Sequence, residues 1–186
     1  MKRLFDVILV IAVTPLLIPL LLVAALTIRL TSNGSALYWS DRAGHGNKIF
    51  KMPKFRSMQM GTPTAATHLL GNPQDYLTPI GSFLRKTSLD ELPQLWSILI
   101  GDMSLVGPRP ALFNQQDLIH LRTKYEVHLL LPGLTGWAQV NGRDELSIED
   151  KVALDVYYLK NQSFWLDIKI LWMTLIKVIR REGVSH

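Results

Sequence analysis

The residues best suited to chemistry lie in one stretch of the chain, Ser82–Pro110. Arg85 precedes two adjacent carboxylates, Asp90 and Glu91, and the stretch ends on an arginine between two prolines, Pro108–Pro110. Carboxylates, cations and a stiffened arginine within one short run indicate a site for a ligand that carries phosphate.

A helix start is predicted at the carboxylates. Ser88–Glu91 fits the S-x-x-E capping box, in which the serine is the N-cap. Pro93 complicates this interpretation, because a proline beyond the first turn removes a needed N–H. If Asp90 is the N-cap instead, Pro93 falls in the first turn and is tolerated. Both alternatives place the carboxylates where free N–H groups and the positive end of the helix dipole favour a phosphate.

Arg109 is a second candidate for phosphate binding. Pro108 and Pro110 stiffen its backbone, which suits a guanidinium that must meet a phosphate in a fixed bidentate pose. The whole stretch also has an ordinary structural interpretation, with a helix cap, exposed cations and three core leucines at helical spacing: Leu92, Leu95 and Leu99. The presence of all these features together favours a site.

Composition narrows the classes of function. The chain has 186 residues and a net charge of +5, and this length suits one domain with a modest core. The absence of cysteine excludes a disulfide framework, thiolate catalysis and cysteine-type zinc sites. A basic chain suits phosphorylated substrates or anionic lipid headgroups. We expect no nucleic acid partner, because no recognition-helix, zinc-finger or aromatic-rich sheet signature is present.

The N-terminal run Val7–Ile28 is apolar apart from Thr14 and Thr27. A straight helix of this length would be roughly 33 Å long, enough to cross a bilayer. Three interpretations stay open: a cleaved signal peptide, a spanning helix, and a re-entrant helix that enters and leaves the membrane by the same face.

Two features favour the re-entrant helix. Pro15 and Pro19 remove helical hydrogen bonds near the middle of the run, and Thr14 is placed to help cover the freed carbonyls. We therefore predict that Pro15 and Pro19 break the helix near the middle of the run. Basic residues also flank the run on both sides, and the positive-inside rule then favours a cytoplasmic location for both ends.

The rest of the chain predicts a mainly α fold with one small β-hairpin. Ala36–Ser40 and Lys48–Phe55 are predicted strands around a turn at Gly44–Asn47, and residues 59–79 are predicted to form a loop that could act as a lid. Helices are predicted in the second half of the chain, at Leu112–Leu130, from Ser147 to about Lys160, and at Phe164–Arg181. The last one combines tryptophans with basic residues, which suits an anionic membrane surface, and a packed core helix is the alternative.

Further cations are candidate ligands. Lys54 and Arg56 end the second predicted strand, with solvent exposure as the alternative. Arg143 follows Asn141-Gly142, a strong turn pair, and lies at the predicted tip. The histidines show no metal-ligand spacing, and no Walker or G-x-S-x-G motif is present. The carboxylates with the arginines are therefore the best candidate site.

The chain resembles a known family, the bacterial sugar transferases, which are monotopic polyprenol-phosphate phosphoglycosyl transferases. The resemblance covers nearly the whole chain in order, and in size the chain is similar to the small members that consist of the catalytic domain alone. It is carried by seven segments: Lys2–Asp6, Lys54–Met58, Arg85–Gln94, Gly101–Ser104, Gly107–Pro110, Pro132–Gly136 and Gln139–Arg143.

The resemblance implies a reaction and its site. A sugar-1-phosphate moves from a UDP-sugar to undecaprenyl phosphate with release of UMP. The family's Asp-Glu pair corresponds to Asp90 and Glu91, of which the aspartate is the nucleophile that forms a phosphosugar ester. The glutamate helps to hold Mg²⁺, and both Glu91 and Asp90 are expected metal ligands. The phosphate-holding cations then include Lys54, Arg56 and Arg85, together with Arg109 and the turn residue Arg143. The family's re-entrant helix breaks at a hydroxyl residue before proline, which is Thr14-Pro15 here.

The resemblance also implies an organisation. Residues 1–31 form the re-entrant membrane helix, and residues 32–186 form a membrane-associated catalytic domain on the cytoplasmic face of the bacterial inner membrane. Inner-membrane lipids are the expected surroundings, a homodimer is left open, and the donor is expected to carry an N-acetylated amino sugar. The alternatives are a membrane-surface phosphatase or pyrophosphatase, in which water replaces the lipid acceptor, and a non-catalytic membrane scaffold.

Overall fold

A computed structural model of the protein describes residues 2–63, 73–142 and 146–180. Within these ranges the chain is mainly helical with a small antiparallel hairpin, as predicted. The α-helices are α1 (Lys2–Thr31), α2 (Gly81–Lys86), α3 (Leu95–Ile100), α4 (Gln116–Lys124), α5 (Trp137–Val140), α6 (Ile148–Asn161) and α7 (Phe164–Arg180). The strands are β1 (Leu37–Ala43), β2 (Ile49–Phe55), β3 (Ser104–Val106) and β4 (Gly133–Thr135).

Helix α1 does not end at the predicted break. It is helical throughout its 30 residues with Pro15 and Pro19 inside it. The Thr14 hydroxyl donates to the carbonyl of Val10 at 2.7 Å, not to the carbonyl of Ile11 that Pro15 leaves without its usual donor. A proline removes one bond of the ladder, and a neighbouring hydroxyl can support the backbone around it, so helical structure continues. The re-entrant path stays a prediction.

The buried residues of α1 lie towards its two ends, and none lies in its middle. Asp6 and Val10 are buried near the start, and Ala24 and Ile28 near the end. Only 11% of the most apolar window of this helix is buried, although its mean hydropathy is 2.9. Among the described residues α1 is the one helix long and apolar enough to cross a membrane.

Strands β1 and β2 form the predicted hairpin, which extends further than expected in the first strand. They pair antiparallel, with Tyr38 opposite Lys54 and Ala43 opposite Ile49. The turn between them contains Gly46 at a φ of 62°, a left-handed conformation that glycine adopts at little cost. This register carries Lys54 near the end of β2, where it meets the carboxylate pair.

The backbone around the carboxylates differs from both predicted caps. Ser88 has a φ of 56°, and its side chain caps nothing. Leu89–Gln94 is a 3₁₀ helix with Asp90 and Glu91 in its first turn, so Asp90 is not an N-cap either. An N-cap side chain needs extended backbone at its own residue to reach the N–H groups ahead, and here the Glu91 N–H bonds the Ser88 carbonyl instead.

The C-terminal half supplies the scaffold behind the site. Strands β3 and β4 pair in parallel, and the predicted helix at Leu112–Leu130 is shorter, since only α4 and a 3₁₀ turn at Val127–Leu129 are helical. Ser147 caps α6 as predicted, with its hydroxyl accepting from the Asp150 N–H at 3.0 Å.

One hydrophobic cluster joins α1, β2, α3, α6 and α7. Its buried members include Val10, Met52, Ile98, Tyr158 and Ile170. Helix α7 is two-faced, as predicted: Asp167 and Ile170 are buried, whereas Trp165 and Trp172 are exposed. Its contact with a membrane stays a prediction.

Candidate active site

The carboxylate pair is buried within the protein. Asp90 and Glu91 retain 8% and 9% of their exposure. The 3₁₀ helix that carries them packs against β2, which brings Lys54 to them. Burying two adjacent carboxylates is costly unless cations accompany them, so the surrounding charges decide what this pair can do.

Glu91 is held by two of the predicted cations. Lys54 Nζ lies 3.0 Å from Glu91 Oε1. Arg109 makes a two-pronged contact, with Nη2 at 2.6 Å from Oε1 and Nη1 at 3.3 Å from Oε2. Burial lowers the pKa of Lys54, and the charge of Glu91 opposes that shift. The guanidinium fork predicted for a phosphate thus grips a carboxylate, which presents the same planar pair of oxygens.

Asp90 sits among cations without a side-chain hydrogen bond to any residue in the described ranges. Burial raises the pKa of this carboxyl, and the neighbouring Glu91 adds to the increase. Lys54, Arg85 and Arg109 lower the pKa in opposition. A carboxylate held close to three cations, with its oxygens uncommitted to hydrogen bonds, is suited to attack an electrophile.

Arg85 approaches the pair from the last turn of α2. Its Nε donates to Ser57 Oγ at 3.2 Å, and its Nη2 lies 3.5 Å from Met58 Sδ. Burial lowers the pKa of this guanidinium, whereas Asp90 and Glu91 raise it. Arg85 is therefore close enough to act electrostatically on both carboxylates, and its contact with substrate stays a prediction.

Arg42 is a site residue that the sequence analysis missed. It lies on β1, where Nη1 donates to the Pro110 carbonyl at 3.1 Å and Nε donates to Ser40 Oγ at 3.0 Å. Burial and the nearby charge of Arg109 lower its pKa to about 10, against the opposing charge of Glu91. The signal in the sequence was weak: Ser40 and Arg42 are two residues apart and so share one face of a strand.

The segment around Arg109 is fixed through successive backbone carbonyls. Pro108 accepts from the Gly133 N–H at 2.9 Å. Arg109 accepts from Arg122 Nη1 at 2.7 Å, and Pro110 accepts from Arg42, as described above. This agrees with the predicted rigid mount, although hydrogen bonds contribute to it as much as the prolines do.

One predicted ligand, Arg56, makes its contacts away from the carboxylates, and another, Arg143, falls outside the described residues. Arg56 is buried at the C-terminal end of α1, where its Nη2 donates to Ser32 Oγ at 2.8 Å and its Nη1 donates to the Asn33 carbonyl. In the structure Arg56 thus holds the two residues that follow α1, and its contact with a phosphate stays a prediction. Arg143 lies outside the described residues, as does the centre of the predicted lid at 64–72.

The carboxylate pair is compatible with the Mg²⁺ that the resemblance implies. Within the described ranges no group of three or more His, Asp or Glu side chains could form a complete metal cage. Mg²⁺ commonly takes one or two protein carboxylates and completes its shell with phosphate oxygens and water. Asp90 and Glu91 offer that donor set, and the remaining ligands would come from the substrate.

Comparison with known proteins identifies relatives over the whole chain. The profile of the family described as bacterial sugar transferase matches residues 1–181. An uncharacterized sugar transferase of Bacillus subtilis is 40% identical over 188 residues, covering 100% of this chain and 91% of that protein.

Two longer relatives carry names that state an activity. The undecaprenyl-phosphate galactose phosphotransferase of Salmonella typhimurium is 38% identical over 98% of this chain and 41% of its own length. The UDP-glucose:undecaprenyl-phosphate glucose-1-phosphate transferase of Escherichia coli is 40% identical over 95% of this chain and 40% of its own length. The chain thus spans about two fifths of the length of these two relatives.

Proposed function

Since the chain belongs to the bacterial sugar transferase family, we propose that it transfers a sugar-1-phosphate from a UDP-sugar to undecaprenyl phosphate and releases UMP. The single observation that carries this proposal is the buried Asp90–Glu91 pair with Lys54 and Arg109 on Glu91. Four cations, Arg42 and Arg85 included, surround two carboxylates, so the site has a positive excess that favours a pyrophosphate.

The reaction proceeds in two displacements. An Asp90 oxygen attacks the β-phosphorus of the UDP-sugar, the bond from that phosphorus to the bridging oxygen breaks, and UMP leaves. A phosphate oxygen of undecaprenyl phosphate then attacks the same phosphorus, the acyl phosphate bond breaks, and Asp90 is restored. Splitting the transfer lets one site serve a soluble donor and a lipid acceptor in turn.

The residues around Asp90 have separate tasks in this scheme. Asp90 and Glu91 would hold Mg²⁺, which when bound neutralises phosphate charge and polarises the phosphoryl group. Lys54 and Arg109 pair with Glu91 and would also donate to phosphate oxygens of the bound donor. Arg85, close to Asp90, reduces the repulsion between that carboxylate and the incoming anion.

The donor sugar is proposed to be an N-acetylated amino sugar. The relatives do not agree on the sugar: their names state galactose in Salmonella typhimurium, glucose in Escherichia coli and N-acetylgalactosamine in Aeromonas hydrophila. Specificity depends on pocket shape, which sequence motifs do not encode, so the assay must compare several donors.

The catalytic domain is proposed to lie on the cytoplasmic face of the inner membrane, with α1 entering and leaving by that face. Both ends of α1 contact the same body: Asp6 binds Ser104 near the start, whereas Ile28 packs with Phe55 and Leu84 near the end. A straight helix across a bilayer would separate its ends by roughly 30 Å of hydrocarbon, and one small body outside the membrane could not meet both.

Cysteine labelling tests this topology. The chain has no cysteine, so Lys2→Cys and Ser35→Cys each give a single thiol on one side of α1. We expect an impermeant maleimide to label neither in intact spheroplasts and both after lysis. Labelling of one position alone before lysis would mean that α1 spans the membrane.

The function itself is tested by release of UMP from a panel of UDP-sugars with Mg²⁺ and undecaprenyl phosphate. We expect release to depend on the lipid at steady state, with parallel lines in double-reciprocal plots. Incubation with the donor alone should add the mass of one sugar phosphate to Asp90. Steady hydrolysis without lipid would favour the phosphatase alternative, and an intersecting pattern with no adduct after rapid quench would contradict the two-step scheme.

A further inference from the structure

Arg122 is a buried arginine whose hydrogen bonds go to residues other than the carboxylate pair. It belongs to α4, retains 8% of its exposure, and binds Asp155 of α6, which retains 1%. Arg122 Nε and Nη2 donate to the same oxygen, Asp155 Oδ2, at 3.0 and 2.7 Å. A fully buried ion pair is a poor source of stability, because desolvation offsets most of the attraction. Its presence therefore calls for another explanation.

The third nitrogen of the Arg122 guanidinium suggests an explanation for the buried pair. Arg122 Nη1 donates to the carbonyl of Arg109 at 2.7 Å. All three nitrogens of Arg122 are thus committed to protein acceptors, two to the carboxylate behind it and one to the backbone in front of it. A side chain so committed has little capacity to bind substrate, but it can fix the peptide that carries Arg109.

The segment around Arg109 needs such a fixed point. A small cavity lies behind it, lined among others by Pro110, Arg122 and His128, and the Nδ1 atom of His128 is buried there without a hydrogen bond to the described residues. A cavity reduces the packing against the segment on that side, so hydrogen bonds contribute to the position of Arg109 together with the flanking prolines. The bond from Arg122 acts on the carbonyl of Arg109 itself.

We propose that Arg122, oriented by Asp155, is a positioning residue that sets the direction of the Arg109 side chain at Glu91 and at the substrate phosphate. This rests on the proposed function. Loss of the contact lets the Arg109 peptide rotate, and a displacement of about 1 Å at a reacting centre can reduce a rate by up to a hundredfold. The effect should appear in kcat, because the guanidinium fork acts most strongly on the charge of the transition state.

A double-mutant cycle separates positioning from general support. We expect Arg122→Met and Asp155→Asn each to lower kcat for UMP release by about tenfold or more when Arg109 is present. In an Arg109→Ala background, whose activity is already reduced, the same changes should alter kcat by less than about twofold. Equal factors in the two backgrounds would overturn the proposal.

A matched control guards against simple loss of folding. Asp167 is also buried and cation-paired, through Lys2 Nζ at 2.6 Å, but its carboxylate accepts from Lys2 and Tyr158 and not from Arg109. Asp155→Asn and Asp167→Asn should lower the melting temperature comparably, whereas only Asp155→Asn should lower kcat in the manner that depends on Arg109. If Asp155→Asn does not fold, Arg122→Lys, which keeps the charge beside Asp155 but reaches fewer acceptors, replaces it in the cycle.

Activity of the unaltered protein distinguishes the proposed function from the positioning role of Arg122. If the unaltered protein releases no UMP from any UDP-sugar with undecaprenyl phosphate and Mg²⁺, the proposed function fails. If the unaltered protein is active but Arg122 and Arg109 contribute independently, only the positioning role fails.

Discussion

Two buried polar clusters in this molecule are built from similar residues and are balanced differently. In the first, Glu91 accepts from Lys54 and Arg109, and Asp90 lies beside it without a hydrogen bond from the described residues. In the second, Asp167 accepts from Lys2 Nζ and from the Tyr158 hydroxyl, each at 2.6 Å. Both clusters are buried, yet the first has cations in excess and the second pairs one carboxylate with one cation.

We interpret this difference as that between a candidate active site and a structural contact. The Asp167 cluster connects the first residues of α1 with α6 and α7, and the nearby Asp6–Ser104 bond adds β3. Its charges and hydrogen bonds are satisfied inside the protein, which is what a structural contact requires. Among the described residues the Glu91 cluster has more cations than carboxylates, and such an imbalance is typical of binding and catalytic sites.

Among changes in the two clusters, Asp90→Asn should reduce activity the most. The amide keeps the shape of the side chain but is not a nucleophile, so turnover should fall by more than about 1000-fold and no sugar phosphate adduct should form. UMP release and intact-protein mass measure both outcomes. Asp167→Asn, which makes the same change in the structural cluster, should lower the melting temperature and leave kcat near that of the unaltered protein.

Glu91→Gln should give the next largest effect, and Mg²⁺ titration reveals it. The amide is a weaker metal ligand than the carboxylate, so the Mg²⁺ concentration for half-maximal rate should rise on the order of tenfold to a hundredfold. Part of the activity should return at high Mg²⁺. A variant with an unchanged Mg²⁺ requirement would remove Glu91 from the metal site, and chelation by EDTA should silence the unaltered protein reversibly.

Arg109→Lys should cost somewhat less. Lysine keeps the positive charge but cannot make the two-pronged contact seen at Glu91. Loss of one charge-assisted contact corresponds to roughly 1.5–3 kcal/mol, or about tenfold to a hundredfold in kcat/KM. The comparable change in the second cluster, Lys2→Arg, should have little effect on kinetics. Unchanged kinetics in the Arg109 variant would place this residue outside the site.

The sequence predicted the members of the reactive cluster better than their geometry. Lys54, Arg85, Asp90, Glu91 and Arg109 were candidates from residue type and spacing, and the structure brings them together. The hairpin and its turn were predicted correctly, because their signals depend on the backbone preferences of neighbouring residues. The S-x-x-E signal failed at Ser88, because this residue has a left-handed backbone conformation, whereas an N-cap residue needs an extended one.

The sequence did not predict the directions of side chains or their long-range contacts. Arg56 is two residues after Lys54, and motif reasoning treated both as phosphate ligands. The strand ends at Phe55, and Arg56 turns to the end of α1, where Ser32 and Asn33 supply acceptors. Arg42 and Arg122 were missed because their partners lie on distant elements, and single-sequence patterns carry no information on such long-range contacts.

Tyr158→Phe should give the smallest effect, which is a change in how the free energy of unfolding depends on pH. Tyr158 is buried in the second cluster, and burial, followed by its hydrogen bond to Asp167, raises the pKa of its hydroxyl well above the usual range. From about pH 10 upward the unfolded chain loses this proton while the folded chain keeps it, so unfolding releases a proton and stability falls by about 1.4 kcal/mol per pH unit. Phenylalanine removes that slope together with one hydrogen bond to a charged group, worth roughly 1.5–3 kcal/mol.

The difference in unfolding free energy between the two proteins should therefore be constant from about pH 7 to 9 and narrow above about pH 10. Denaturant unfolding in detergent at several pH values measures it. The kcat of the Phe variant at neutral pH should match that of the unaltered protein, because the Tyr158 hydroxyl bonds Val106, Asp167 and Gln162 and not Glu91. A stability difference that stays constant to about pH 11 would mean that Tyr158 ionises normally in the folded chain. The Asp167 cluster would then not be the fully hydrogen-bonded structural contact that its geometry indicates.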